Sequence, residues 1–244
     1  MFKHQHPYPP FIQPDTTKLI VGTLPPPRFS TGGLLEKDVD FCYGSYYNSL
    51  WLYIDAIHQL HLRYDNSEAA VEERKQFLKH HKIGVCDMVE SCERTKIDAS
   101  DLGMQNVELR NLIGYLKAFP TIDTLLFTGG NSKNGPEYFF RKHLKAWGLK
   151  LELVSDEVPR IHQFNLPVIG SASKPTVNHD PIAASSNVQK SLQTSRIIKT
   201  VSLTSVSGAA NISISKLPLY KHLKAKNPAF NTFDFRVLQY STFF

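Results

Sequence analysis

The residues best suited to binding a flat ligand are concentrated in one long loop. A short apolar run, Leu19, Ile20 and Val21, predicts a buried strand, and Gly22 with the prolines that follow ends it. A helical pattern begins only after Asn48, about two dozen residues further on, which exceeds an ordinary connection. The aromatic residues of this loop are Phe41, Tyr43, Tyr46 and Tyr47. Such rings stack on flat ligands, although from composition alone the covering of a core edge is favoured about two to one.

The elements that must position this loop alternate between strands and helices. Apolar runs predict strands at residues 19–21, 83–86, 122–128, 149–154 and 197–203. Helical spacing of apolar residues predicts helices after Asn48, at 67–81, at 109–116, at 135–147 and at 233–240. This alternation predicts an α/β fold in which helices cover both faces of a parallel sheet, making three layers. We expect the ligand site among the loops at the carboxyl ends of the strands.

Composition and charge narrow the class of protein. A length of 244 residues fits a single domain, and a net charge of +6 permits an anionic partner such as nucleic acid without demanding one. Cys42, Cys86 and Cys92 have no paired spacing, and the chain has no signal-like apolar start, so we expect reduced thiols and a cytoplasmic protein. No apolar run approaches the roughly 20 residues of a membrane helix. A monomer is the default expectation.

Three segments of this single domain differ in composition from the rest. Residues 1–17 are rich in proline and predict an extended N-terminal lead-in on the domain surface. Residues 168–195 are rich in Ser, Asn, Ala and Pro without periodicity and predict a surface insertion. Residues 212–244 are first basic and then aromatic. Because Phe233, Val237 and Tyr240 lie at helical spacing, we interpret this end as a segment that packs back on the domain.

Several blocks of the sequence resemble the uracil-DNA glycosylase superfamily, and most closely its hypoxanthine-DNA glycosylase or mismatch-specific branch. The first block pairs Gly22-Thr23-Leu24-Pro25-Pro26 with a segment from Cys42 to Trp51 that resembles YYAHPRNxFW. The segment from Ile83 to Arg94 resembles GIALWDVLxxCxR and is the most specific match. The remaining blocks are Ile97-Asp98-Ala99-Ser100, residues 120–130 and Leu203-Thr204-Ser205-Val206-Ser207-Gly208-Ala209. The resemblance implies a three-layer α/β/α sandwich with a central, mostly parallel four-stranded sheet.

The resemblance also implies a function and a set of site residues. Such enzymes act in base excision repair by hydrolysing the N-glycosidic bond of a deaminated base, here uracil or hypoxanthine, after flipping it out of DNA. The implied catalytic residues are Asn48 and Asp87. The implied base-binding residues are Gly22, Thr23, Leu24, Pro25 and Tyr43, and the implied DNA-binding residues are Ser205, Ser207, Gly208 and Arg94. No metal or cofactor is implied.

Structural roles compete with these assignments. Asn48 and Asp87 are each suited to capping a helix N-terminus, Arg94 to fixing a loop, and Ser205 and Ser207 to an ordinary turn. Pro26 replaces a glycine of the branch pattern, and Ser45-Tyr46-Tyr47 replaces HPR. These departures favour an alternative, a noncatalytic nucleic-acid or nucleotide-binding protein on the same fold. Another small-molecule enzyme ranks last, since the sequence has no P-loop, GxGxxG or GxSxG pattern.

Overall fold

The computed structural model describes residues 1–168 and 194–244. The strands are β1 (Phe2–Gln5), β2 (Lys18–Val21), β3 (Ile83–Val85), β4 (Val89–Arg94), β5 (Gln105–Leu109), β6 (Thr124–Phe127), β7 (Glu152–Ser155), β8 (Arg160–Val168) and β9 (Thr194–Ser202). The α-helices are α1 (Arg28–Thr31), α2 (Leu50–His58), α3 (Glu68–His80), α4 (Leu112–Ala118), α5 (Pro136–Ala146), α6 (Asn211–Ile214), α7 (Pro218–Lys226) and α8 (Thr232–Tyr240). Short 3-10 turns cover Asp101–Gly103 and Gly208–Ala210.

The central sheet has the strand order β3-β2-β6-β9-β8-β7. The pairs β3–β2, β2–β6 and β6–β9 are parallel, whereas β8 and β7 are antiparallel to their neighbours. The α/β class and the mostly parallel centre are therefore confirmed. The expected number of four strands is wrong for the whole sheet, because the antiparallel hairpin partners β8 and β7 extend the four-stranded parallel part to six strands.

Successive residues of the buried strands point to opposite faces of this sheet, and each face carries its own core. Leu19 and Val21 pack in one core with α4 and α5. Ile20 packs in the other core with α2, α3 and Tyr240 of α8. Because strand side chains alternate between faces, a continuous apolar run is needed to fill both cores. The expected three layers are confirmed.

A second sheet, with the order β1-β4-β5, contains the N-terminal segment. β1 pairs antiparallel with β4, with Phe2 opposite Arg94 and Gln5 opposite Ser91. Phe2–Gln5 of the predicted lead-in form a strand, and most of residues 1–17 are exposed or half-buried, whereas His4, His6 and Thr16 are buried. Pairing with β4 carries the alternate side chains of this segment into the interior.

The structure also contains elements that the sequence patterns did not reveal. β8 was missed because its polar residues and Pro167 interrupt any apolar run; the proline is tolerated near the strand end, beyond the residues that pair with β7. Leu109 ends β5 and does not begin a helix. The predicted insertion at 168–195 falls largely on residues 169–193, outside the described residues. Within the described residues, no helix is long and apolar enough to cross a membrane.

Candidate functional site

One cavity of about 300 Å³ opens at the carboxyl-terminal edge of the parallel strands. Gly22 directly follows β2, Asp87 lies two residues after β3, and Thr128 directly follows β6. Ser205 lies in the chain that leaves β9. Since parallel strands bring their carboxyl ends to the same edge, segments far apart in the sequence meet here.

The cavity lining contains most of the residues that the sequence assigned to a site. The predicted residues that line it are Gly22, Thr23, Leu24, Pro25, Tyr43, Asn48, Asp87, Ser205 and Ser207. Residues that sequence reasoning did not single out also line it, among them Asp101, Thr128, Gly129, Gly130, Ser132 and Pro136. The long first loop therefore faces the 128–136 segment and the loop after β9 across one cavity.

Asp87 is held by three hydrogen bonds. Its Oδ1 accepts from the backbone N–H of Gly22 and from the Tyr43 hydroxyl, both at 2.8 Å, and its Oδ2 lies 3.0 Å from His6 Nε2. Burial by itself raises the pKa of this carboxyl, but the donors outweigh it, and the pKa lies below its usual value. Asp87 is therefore an anion at neutral pH although it is only 6% exposed. No helix begins after it, so the alternative of a helix cap is wrong.

A backbone hydrogen bond from Tyr8 sets the tautomer of the neutral His6 ring. The ring Nδ1 of His6 accepts a hydrogen bond from the Tyr8 backbone N–H at 3.1 Å. A ring nitrogen that accepts carries no proton, so in the neutral imidazole the proton sits on Nε2 and is donated to Asp87. Sequence reasoning missed His6, because its partner lies 81 residues away.

Tyr43 is fixed at the floor of the cavity. Its backbone has a φ of 59°, a left-handed conformation that is uncommon for residues with a side chain. Its hydroxyl also lies 3.4 Å from Thr128 Oγ1, and burial, together with the nearby Asp87 charge, raises its pKa. A Cβ on Gly22 would approach this hydroxyl to 2.3 Å, so only glycine allows the close approach.

The two ends of the Asn48 carboxamide have different surroundings. Its Oδ1 accepts from the backbone N–H of Leu50, the first residue of α2, at 3.0 Å, whereas the N-cap position itself is Ser49. The backbone of Asn48 also forms an isolated bridge with Ser207. Because the oxygen is engaged, the NH₂ group is the end of the carboxamide that can donate to a ligand in the cavity.

Asp101 is a second carboxylate of the cavity, and its environment is poorer in donors. It accepts from Thr23 Oγ1 at 2.8 Å, and burial raises its pKa to about 6. Asn134 Nδ2 donates to its backbone carbonyl at 2.9 Å, which ties the loop to the far side of the cavity. A carboxyl with this pKa can exchange a proton near neutral pH, as catalytic carboxyls do. The sequence signals only an acidic residue in a polar loop.

Two predicted DNA-binding residues do not line the cavity. Arg94 is 1% exposed, and its guanidinium donates to His4 Nδ1 and to the Ser100 carbonyl. These bonds match its alternative role of fixing the loop, whereas contact of Arg94 with DNA stays a prediction. Gly208 begins a 3-10 turn beside the cavity, with open space around its Cα.

The loop after β9 is held by Arg236 of α8. Its guanidinium donates to the backbone carbonyls of Ser205 at 2.9 Å and Ser207 at 3.1 Å. Ser205 Oγ accepts from the Ser207 N–H at 3.2 Å, which gives the turn that the sequence also allowed. Within the described residues, no group of three or more His, Cys, Asp or Glu side chains is arranged to hold a metal ion.

Comparison with known proteins gives a weak structural likeness. No protein-family model matches the chain, and no curated protein matches it. Among solved structures, the chain is similar to a solution NMR structure from Methanosarcina acetivorans that is provisionally named a uracil DNA glycosylase. The sequence identity is 19% and the TM-score 0.43, over 61% of this chain and 81% of that chain. A likeness at this level does not establish a family.

Proposed function

We propose that this protein is a DNA glycosylase of the uracil-DNA glycosylase superfamily, related to its hypoxanthine or mismatch-specific branch. It would hydrolyse the N-glycosidic bond of uracil or hypoxanthine after the base has left the DNA stack. The observation that carries the proposal is the convergence of Tyr43, Asn48, Asp87 and Ser205 on one cavity. The sequence resemblance gives binding or catalytic roles to the same four residues, although they come from separate segments.

The cavity suits a single extruded base. Its volume of about 300 Å³ lies at the small end of ligand pockets, which fits one base better than a whole nucleotide. The ring of Tyr43 offers a stacking surface, and the backbone from Gly22 to Pro25 offers peptide groups to the base edge. The Tyr43 hydroxyl is already engaged by Asp87, so this ring has a fixed position before the base enters.

The donor that remains on Asn48 fits the charge that develops on the leaving base. Breaking the glycosidic bond moves negative charge onto the base, and a donor in place beforehand stabilises it. In our proposal the Asn48 NH₂ group donates to a carbonyl oxygen of the base. The accepting bond from Leu50 fixes which end of the carboxamide serves this role.

Two carboxylates fit the opposite charge on the sugar. Asp87 is held as an anion by its donors, and its charge would stabilise the cationic sugar of the transition state. Asp101, with a pKa of about 6, would accept a proton from the attacking water. Under this assignment the cleavage rate rises as the pH increases through about 6.

The remaining features agree with a protein that works on DNA. Ser205 and Ser207 offer hydroxyl and backbone groups beside the cavity, where phosphates of the target strand would lie. The net charge of +6 favours association with a polyanion. We propose that the protein acts as a monomer in the cytoplasm, in base excision repair.

The test is single-turnover cleavage of oligonucleotides that carry uracil, hypoxanthine or xanthine. Asn48→Ala should reduce cleavage of the preferred base by at least about a hundredfold, the scale for losing one transition-state donor. Asn48→Ser keeps a side-chain oxygen that can accept from the Leu50 N–H but lacks the carboxamide, and it should be equally impaired. Asn66→Ala is the matched control, because Asn66 lies outside the cavity lining and its carboxamide donates to the Leu35 and Glu36 carbonyls.

Two results would count against the mechanism or the function. Recovery of activity in Asn48→Ser would mean that Asn48 acts only through the start of α2. Binding of DNA without cleavage of any base by the native protein would favour the noncatalytic alternative.

A further inference from the structure

We propose that Tyr46 and Tyr47 form a stacking platform for the nucleotide next to the extruded base, and that the platform selects unpaired DNA. The proposal rests on the proposed function, because it assigns a neighbour to the base in the cavity. Tyr47 itself lines the base cavity, whereas Tyr46 lines an adjoining cavity of about 260 Å³ that shares Tyr43, Ser45 and Asn48 with it.

The two rings are unusually open to solvent for aromatic side chains. Tyr46 is 49% exposed and Tyr47 is 71% exposed. Their centroids are 5.3 Å apart and their planes make an angle of 71°, so the pair presents two differently oriented surfaces. The sequence analysis allowed rings in this loop to cover a core edge, and Phe41 does so. A cation lies over one face of each ring, and the exposure of Tyr46 and Tyr47 leaves the rest of each ring available to a ligand.

The backbone beneath the rings is held rigidly. The buried carboxylate of Asp38 accepts from the Tyr46 N–H at 2.8 Å and from two nitrogens of Arg28 at 2.6 and 2.9 Å. Arg28 also donates to Ser45 Oγ at 2.7 Å, and that oxygen accepts from the Tyr47 N–H at 3.3 Å. The backbone of this segment is therefore ordered before a ligand binds, so binding costs less conformational entropy.

The charges around the rings fit a polyanion that carries flat bases. Lys37 Nζ lies 5.4 Å from the Tyr46 centroid, and Arg28 Cζ lies 5.8 Å from the Tyr47 centroid. Arg28 is neutralised by Asp38, whereas Lys37 takes part in none of the ion pairs within the described parts of the chain. Aromatic faces interleaved with cations are the arrangement that binds single strands, since every base has a stacking face. In a duplex, the neighbouring bases are already stacked on each other.

Binding is measured by fluorescence anisotropy with a single strand and with its duplex. The central nucleotide is deoxyuridine with a 2′-fluorine, which resists cleavage, and a matched probe carries thymidine. Tyr47→Ala should weaken single-strand binding by about tenfold and Tyr46→Ala by about threefold, the range for losing one stacked base. Tyr47→Phe keeps the ring and should bind as the native protein does. Tyr47→Ala and Tyr46→Ala should weaken binding to the duplex less than binding to the single strand.

The control is Trp147→Ala, which removes an exposed ring far from the cavity. Trp147 is 43% exposed and has Lys117 Nζ 4.3 Å from its ring centroid, so it matches the platform in exposure and in charge. Lys37→Gln should weaken binding at low salt only, whereas the Tyr47→Ala loss should persist at high salt. A 2-aminopurine placed next to the central nucleotide should lose fluorescence on binding, and should lose less with Tyr47→Ala.

Any of three results overturns the platform. These are native affinity in Tyr47→Ala, equal losses in Tyr47→Ala and Tyr47→Phe, and equal losses for single strand and duplex. The glycosylase proposal fails on different results. It fails if the native protein cleaves no base and binds the fluorinated and thymidine probes with equal affinity. The tyrosine variants remain informative in that case, because the binding assay requires no cleavage.

Discussion

Two carboxylates line the same cavity, yet their surroundings drive their pKa values in opposite directions. Asp87 has three donors, from His6, Tyr43 and the Gly22 backbone, and its pKa is lowered. Asp101 has one donor, the Thr23 hydroxyl, and its pKa is raised to about 6. Burial raises the pKa of both carboxyls, so the hydrogen-bond donors decide the direction of the net shift.

This difference separates two kinds of work in one site. A carboxylate that is fully hydrogen-bonded contributes a fixed negative charge and a fixed geometry, because it neither moves nor titrates near neutral pH. A carboxylate with few donors exchanges its proton there, which suits acid or base chemistry. The Asp87 cluster therefore contributes to stability, and Asp101 lowers stability in return for reactivity.

The sharpest test of the comparison removes each carboxylate in turn. Asp87→Ala leaves the buried His6, Tyr43 and Gly22 donors without an acceptor, and we expect a loss of about 3–5 kcal/mol in the free energy of unfolding. Asp101→Ala loses one hydrogen bond and relieves an unfavourable charge, so its change should stay within about 1 kcal/mol. Urea unfolding at neutral pH measures both. Equal losses in the two variants would remove the distinction.

Asp101→Asn tests the prediction that the ionised Asp101 carboxylate destabilises the fold at neutral pH. Because the folded pKa is raised, the folded protein binds this proton more tightly than the unfolded chain does. Stability is therefore lost as the pH rises from 3.8 to about 6, and it stays lost above that range. The neutral asparagine avoids this loss and should gain up to about 3 kcal/mol at pH 8, with no gain near pH 3.

Asp101→Asn should lower the cleavage rate, although it raises the stability of the fold. If Asp101 accepts a proton from water, Asp101→Asn cleaves more slowly, and the rise in native rate through pH 6 disappears. A variant that is more stable and fully active would show that Asp101 has no part in the reaction. Asp98→Asn, in the same loop but outside the cavity lining, is the matched control.

His6→Ala should weaken the Asp87 cluster by a smaller amount. It removes one donor to a charged group, which costs about 2 kcal/mol, and it raises the pKa of Asp87. The lowered native pKa makes Asp87 stabilising above its unfolded pKa, and this contribution is lost as the pH falls through the folded pKa. In His6→Ala acid unfolding should therefore begin at a higher pH. The exposed His80 provides the control, and an unchanged acid midpoint in His6→Ala would contradict the cluster.

The smallest effect concerns the single donor of Asp101. Thr23→Val removes the hydroxyl while keeping the shape, so the pKa of Asp101 should rise further, by less than about one unit. Carbon-13 NMR titration of the aspartate carboxyls follows this midpoint directly. Thr121→Val, whose hydroxyl bonds only to the Pro14 carbonyl, should leave it unchanged. A fall in the midpoint would show that the hydroxyl does not stabilise the anion.

Much of the fold could be predicted from local pattern. Apolar runs located β2, β3, β6 and β9, and helical spacing located α2, α3 and α5, with Ser67 capping α3 through the Ala70 N–H. These elements carry their signals in neighbouring residues. β1 and β8 do not, because polar residues interrupt their apolar runs, and α7 does not, because none of its residues is buried.

The residues of the candidate site were likewise predicted only in part from the sequence. The resemblance located Tyr43, Asn48 and Asp87, and the sequence pattern placed Asn48 before a helix and Asp87 after a strand. His6, Asp101 and Thr128 were missed, since nothing in their immediate sequence distinguishes them from surface or strand residues. The resemblance assigned Arg94 to DNA, and nothing in its neighbouring sequence indicates its burial.

The sequence by itself determined where the chain turns from strand to loop, and which residue types each loop brings to the sheet edge. Gly22 illustrates this, because the absence of a Cβ is a local property that permits the approach of Tyr43. Only the tertiary structure decided which carboxylate stays charged and which titrates. That outcome depends on donors and burial contributed by residues as distant as His6 is from Asp87, and electrostatic environments of this kind form only when the chain has folded.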